Sequence, residues 1–187
     1  MSNVTARLQM AIQLHQSGRL DEAGEAYADI LKTDPRHADA HHLLGLVAFQ
    51  RAQFDEALDL IDIAITLHPH AAVYHSNRGR ALKAVGEHRA AASAFARALH
   101  LQPGVPESLS DLAGAHLDSG EPDTAMLFAS RAVERGPDLA PAHYNYGLAA
   151  MGLKQFRSAQ LAFERAVDLA PDFASALFEL GCLHQAE

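Results

Sequence analysis

The sequence predicts an all-α fold, a superhelical solenoid of about eleven helices arranged as antiparallel pairs. Three observations carry this expectation. Alanine makes up about a fifth of the 187 residues, tryptophan is absent, and no stretch alternates strand formers, so local preference leans to helix. Five of the eight prolines, Pro35, Pro69, Pro103, Pro137 and Pro171, stand 34 residues apart at every step, a beat that only an internal repeat produces. Small and large residues recur at fixed places between them.

Each unit can be counted so that these prolines fall at place 32. Place 20 is then Ala23, Ala57, Ala91, Ala125 and Ala159, and place 27 is Ile30, Ala64, Ala98, Ala132 and Ala166. Place 8 is Ala11, Gly45, Gly79, Ala113, Gly147 and Gly181, and place 24 is Tyr27, Ile61, Phe95, Ala129 and Phe163. Small residues at 8 and 20 let two helices approach closely, and the large residue at 24 fills the space beside that contact. Gly18, Gly86 and Gly120 share place 15, where a left-handed residue ends the first helix without side-chain penalty. Proline at 32 stops the second helix. Pro106, Pro122 and Pro141 fall at helix starts, where a missing N–H costs little.

The elements follow in order. First helices are expected near 4–17, 38–51, 72–85, 106–119, 140–153 and 174–186, and second helices near 20–33, 54–67, 88–101, 122–135 and 156–169. The chain reads as one solenoid over 1–187, with repeats near 4–35, 36–69, 70–103, 104–137 and 138–171 and a half repeat at 172–187. Each unit should touch only its neighbours.

Composition narrows the function classes. Hydrophobic residues make up 49%, charged residues 20%, and the net charge is -8. That is too apolar for a disordered chain and too acidic for a nucleic-acid binder. The single cysteine leaves no intrachain disulfide and no cysteine-based zinc cluster. The opening MSNVTARLQM lacks the apolar run of a signal peptide, and no later stretch is long enough to span a bilayer. A cytoplasmic protein with no membrane or nucleic-acid partner is expected.

The segments LHQSGRLDEAGEAYADILKTDP, HHLLGLVAFQRAQFDEALDLIDIAITLHP and HYNYGLAAMGLKQFRSAQLAFERAVDLAP carry a small–aromatic–alanine–proline signature. In this the chain resembles the tetratricopeptide repeat (TPR) family over residues 4 to 186. Departures are local. Ala52 and Lys154 replace the glycine of place 15, Ala129 leaves place 24 small, and Arg7 stands where the first unit should carry a large aromatic. The resemblance implies a right-handed superhelix that is non-catalytic and binds a protein or peptide in its concave groove, as the N-terminal recruiting region of a larger protein.

The family's groove places carry over residue by residue. They yield a peptide-binding set of His42, Leu46, Phe49, Ser76, Asn77, Arg80, Lys83, Asp111, Tyr144, Asn145, Leu148 and Met151. The lysine/asparagine clamp of chaperone-tail binders is absent, because place 5 holds no lysine. Similarity to the repeat region of O-linked sugar transferases is partial: Asn77 and Asn145 fit its asparagines at place 6, Asp111 is close, and Gln9, Leu43 and Glu179 depart. An asparagine amide can both donate to and accept from a peptide unit. Charge is uneven, with a net of +4 over 70–103 and -4 over 104–137. It either knits adjacent units together or lets Arg80 and Lys83 attract an acidic group of the peptide.

Catalysis is not expected. The sequence has no GxxxxGK[ST], no GxSxG and no HExxH. Carboxylate pairs such as Asp21–Glu22 and Asp55–Glu56 recur at one phase, the first turn of a second helix, where negative charge suits the helix dipole. Histidines are plentiful, yet His41, His75 and His143 all stand at place 4, about 10 Å apart from unit to unit. They are expected to pack rather than bind metal, and no cofactor is expected. Residues 174–186 read as a first helix without its second. Leu177, Phe178, Leu180 and Cys182 should form an apolar face covered by continuing chain, by a second copy or by another partner. The alternative function is accordingly a structural module that self-assembles through this helix.

Overall fold

A computed structural model describes residues 3–185. Eleven α-helices and no strand occur among them: α1 (Asn3–Gln16), α2 (Leu20–Thr33), α3 (Ala38–Gln50), α4 (Phe54–Leu67), α5 (Ala72–Ala84), α6 (His88–Leu101), α7 (Pro106–Asp118), α8 (Pro122–Arg135), α9 (Ala140–Gly152), α10 (Phe156–Leu169) and α11 (Ala174–Gln185). All five second helices occupy the expected residues. The first helices α1, α3, α5, α7 and α9 stop one residue short, because the residue at place 14 (Arg51, Val85, Ser119, Leu153) already has ψ near zero as the chain prepares to turn.

The turn itself is left-handed in every unit. Gly18, Gly86 and Gly120 have φ of +75°, +84° and +75°, and Ala52 and Lys154 adopt +60° and +59° at the same place. Their closure is unchanged: Gln53 N–H donates to Ala48 O at 2.9 Å and Gln155 N–H to Ala150 O at 2.8 Å, as Arg19 N–H does to Leu14 O at 3.0 Å. The packing of the repeat therefore imposes a conformation that costs an L-residue about 1 kcal/mol.

At the other end of each pair, the N–H of the last capping residue reaches back four residues, to Ile30, Ala64, Ala98, Ala132 and Ala166. Proline then follows, with no N–H to offer. Its carbonyl is used in three units. Nε2 of His41, His75 and His143 bonds the carbonyl of Pro35, Pro69 and Pro137 at 3.0, 2.9 and 2.8 Å. A carbonyl only accepts, so Nε2 carries the proton in each. These imidazoles tie the first turn of one pair to the end of the pair before it. His37 has a related task, its Nδ1 accepting from Ala40 N–H at the start of α3.

By internal packing the chain forms two compact units, Met1–Gly86 and Glu87–Glu187. In the first, α1 packs on α2, α2 on α3, α3 on α4 and α4 on α5. Its interior holds Ala11, Ala23, Tyr27 and Val47, and further along Ala38, Ala64 and Tyr74. In the second, successive helices α6 to α11 pack in the same fashion, around Leu109, Ala132 and Ala142 and then Ala150, Ala159 and Phe163. The contact between places 8 and 24 is close. A Cβ on Gly147 would lie 2.6 Å from Phe163 Cδ1, and one on Gly45 would lie 3.0 Å from Ile61 Cγ1. Glycine admits the large side chain opposite it.

Candidate functional site

In the first unit, α3 and α5 frame a cleft of about 230 Å³ lined by Leu46, Phe49, Gln50, Asn77 and Arg80. Leu46 and Phe49 are half-buried, and the Phe49 ring rests on Phe54 with centroids 5.5 Å apart. Gln50 is exposed and its Oε1 accepts from His15 Nε2 at 3.1 Å. The cleft thus joins an apolar floor to a polar rim carrying one guanidinium.

The rim is held from behind by the preceding helix pair. Asn77 Nδ2 donates to His42 Nε2 at 2.8 Å, while Asn77 Oδ1 faces Arg80 Nη1 at 3.5 Å. The ring of His42 lies 4.5 Å from that of Tyr74, whose hydroxyl donates to Asp39. Burial pushes the His42 imidazole down to about 4, despite the nearby Asp39 carboxylate. It is neutral at physiological pH and its Nε2 is a bare acceptor. Burial and the Asp39 hydrogen bond raise the Tyr74 phenol, keeping it a donor.

This corrects one anticipated contact. His42 is 5% exposed, enclosed by the Tyr74 ring and the Asn77 amide, so it supports the wall instead of presenting itself to a ligand. Ser76 is half-buried, Arg80 and Lys83 are exposed, and each makes contact with a neighbouring group. Arg78, from the same basic stretch, is spent on Asp62 at 2.6 Å.

In the second unit the corresponding surface comes from α7 and α9. Asn145 Nδ2 donates to both the carbonyl and the Oγ of Ser110, at 2.9 and 3.0 Å. Both of its N–H bonds are therefore committed, and Oδ1 is the atom left to accept from a ligand. Tyr144 sits between Phe163 and Phe173, with centroids 5.8 and 5.0 Å away. Burial, followed by the charge of Glu179, raises its phenol. Leu148 and Met151 are half-buried against the cluster around Phe163. Asp111 is half-buried and engaged by a neighbour.

The asparagines are thus not the two-way amides that the sequence suggested. Asn145 spends both of its N–H groups, and Asn77 one, on the residue 35 positions earlier. The same offset joins Tyr74 to Asp39 and Gln50 to His15. Periodicity within a unit does not reveal this ladder, whereas complementary polar residues at a spacing of 35 would have. On α11, Leu177 and Phe178 are 46% and 68% exposed and Cys182 is exposed. Leu180 is a correction, because it turns inward to pack on the Phe163 cluster.

A second hollow, of about 340 Å³, lies over α8–α10 and is lined by Val133, His143, Tyr146, Ser158, Leu161, Ala162 and Arg165. Two of its polar groups are committed: His143 to Pro137 and Arg165 to Asp138 at 3.3 Å. Among the described residues no group of His, Cys, Asp or Glu could hold a metal ion, and no helix is long and apolar enough to cross a membrane.

Models of the tetratricopeptide repeat match residues 8–72 and 76–140, and another matches 140–173. The chain is 26% identical over 200 residues to human "Protein O-mannosyl-transferase TMTC3", covering 86% of this chain and 22% of that protein. It is 33% identical over 125 residues to the wheat (Triticum aestivum) "Hsp70-Hsp90 organizing protein", covering 67% and 20%. It spans about a fifth of the length of these curated relatives. Among solved structures, YrrB, described as a TPR protein with an unusual peptide-binding site, superposes with a TM-score of 0.74 at 24% identity, covering 92% of this chain and 89% of that one. A MamA protein gives 0.77 at 23% identity (92% and 94%), and a chain of the Cut9–Hcn1 assembly gives 0.85 at 16% (98% and 36%). The fold is common to all three, and the chain belongs to the tetratricopeptide repeat family.

Proposed function

We propose that the first-helix surface of each unit binds an extended peptide or a peptide-like segment of a partner protein, without catalysis. One observation carries this reading: the cleft between α3 and α5, where Leu46 and Phe49 adjoin Gln50, Asn77 and Arg80. An apolar floor beside a few oriented polar groups is the usual make-up of a recognition site. Side chains of the peptide would seat on Leu46 and Phe49. Arg80 would favour an acidic group beside them. Asn145, and the similar Asn77, would accept from backbone N–H groups, so the surface reads donors on the peptide more than acceptors. The chain would recruit partners for a longer polypeptide, in keeping with its covering a fifth of its curated relatives.

Peptides selected from a random dodecapeptide library on the intact chain test this directly. Their affinity, measured by calorimetry, should fall about tenfold in Phe49→Ala and in Arg80→Glu, the loss of one well-seated anchor. Selected peptides that bind both variants as tightly as the parent chain would exclude the cleft.

A further inference from the structure

Asn77 and Asn145 stand at place 6 of their repeats, and each is held by the residue at place 5 of the repeat before it. His42 Nε2 accepts an N–H of Asn77 at 2.8 Å, and the carbonyl and Oγ of Ser110 accept from Asn145 at 2.9 and 3.0 Å. The contact thus recurs in both compact units. Where place 6 is a leucine instead, Leu43, place 5 of the repeat before is Leu8, and both pack against the cluster around Tyr27. Polar answers polar and apolar answers apolar at this offset.

The first of these contacts also fixes which way the Asn77 amide faces. A guanidinium only donates, so the amide atom beside Arg80 Nη1, at 3.5 Å, is the oxygen. The nitrogen is left facing His42 Nε2, which must accept. Burial pushes this imidazole down to about 4, so the ring is neutral and its one proton sits on Nδ1. Turned over, the amide would set its oxygen against the bare Nε2 and its N–H groups against the guanidinium. Two attractive contacts would become two repulsive ones.

We propose that His42 is a positioning residue of the cleft: through Asn77 it holds an amide oxygen towards the ligand and so selects segments that present a backbone N–H there. This rests on the cleft binding a peptide. His42 itself touches no ligand, being enclosed by the Tyr74 ring and the Asn77 amide. Ser110 stands in the same relation to Asn145, but its carbonyl would survive any substitution, which makes His42 the position to test.

Two measurements test the proposal. In the chain without ligand, nitrogen NMR of the His42 imidazole should show Nδ1 protonated and Nε2 bare, with the Nε2 resonance moving in Asn77→Ala. A protonated Nε2 would overturn the proposal, since Asn77 would then have to offer it oxygen. For the second, library-selected peptides that lose affinity in Phe49→Ala and Arg80→Glu are remade with each backbone amide in turn replaced by an ester, which removes one N–H donor. In the parent chain one ester should weaken binding about tenfold, the loss of one hydrogen bond to an oriented acceptor, and Asn77→Ala should abolish that penalty. His42→Leu should cut it to within about twofold, because an unheld amide can turn either face to the ligand. His42→Gln, which can return an acceptor oxygen near the place of Nε2, should restore it. Amide and ester peptides are compared within one variant, so a loss of stability common to both cancels. A merely structural His42 would leave the penalty at about tenfold in His42→Leu; that result, or a penalty that His42→Gln does not restore, would overturn the proposal. Peptides with no ester penalty that depends on Asn77 would overturn it while leaving the cleft in place. Peptides indifferent to Phe49→Ala and Arg80→Glu would remove the peptide reading, and this inference with it.

Discussion

Replacing one glycine by alanine at two equivalent places should change stability in opposite directions. Gly147 and Gly181 both stand at place 8 inside a helix, where alanine is intrinsically better by about 1 kcal/mol. Among the described residues nothing lies within 4 Å of a methyl group on Gly181, so Gly181→Ala should stabilise by about 0.5–1 kcal/mol. At Gly147 the methyl would stand 2.6 Å from Phe163 Cδ1. Phe163 is fully buried and wedged against Tyr144, Ala150 and Ala159, so its ring has little room to retreat. Overpacking of this kind costs about 1–3 kcal/mol. Gly147→Ala should therefore come out neutral to about 2 kcal/mol destabilised once the helix gain is subtracted. The assay is urea denaturation followed by circular dichroism, at a concentration where the chain is monomeric. A cycle with Phe163→Leu should show a favourable coupling of about 1 kcal/mol, because the smaller side chain relieves the clash. Equal stabilisation by both alanines would refute the claim that place 8 is kept small to admit place 24.

Three further predictions rest on separate contacts. Ala52→Gly and Lys154→Gly should each stabilise by up to about 1 kcal/mol, as the left-handed turn is freed of its Cβ; no gain in the urea midpoint would contradict the imposed conformation. His42 binds its proton at about 4 in the fold, against 6.5 ordinarily. As pH falls through that window only the unfolded chain takes up this proton. Stability should then be lost progressively from pH 6.5 to 4, by about 3 kcal/mol in full, with nothing lost above pH 6.5. His42→Phe should flatten this part of the pH profile, and a variant with an unchanged slope would remove His42 as its source. His75→Leu should cost about 1–2 kcal/mol by leaving the Pro69 carbonyl without its donor. His143→Leu should cost less, since its site is more open to water. Equal losses would argue that the ring packs without bonding.

The helical frame was legible because its causes are local and repeated. Proline cannot continue a helix, glycine turns left-handed without penalty, and small residues mark close approach. Even the units that lack the glycine, at Ala52 and Lys154, follow the frame, since packing on both sides overrides a cost of about 1 kcal/mol. The site was read less well. Leu46, Phe49, Asn77 and Arg80 do line one cleft. His42, however, is buried by Tyr74 from the next pair, and the amides of Asn77 and Asn145 are turned back onto the pair before. Contacts offset by 35 residues depend on how one pair seats on another, which a period of 34 does not state. Leu180 was misplaced for a similar reason: its side chain meets the core around Phe163 while Leu177 and Phe178 point away from it.

The most direct measurement is an amide and methyl NMR titration of the intact chain with a library-selected peptide. Shifts concentrated on Leu46, Phe49, Gln50, Asn77 and Arg80 are the predicted outcome. Shifts confined to Tyr146, Leu161 and Arg165, in the hollow over α8–α10, would contradict it.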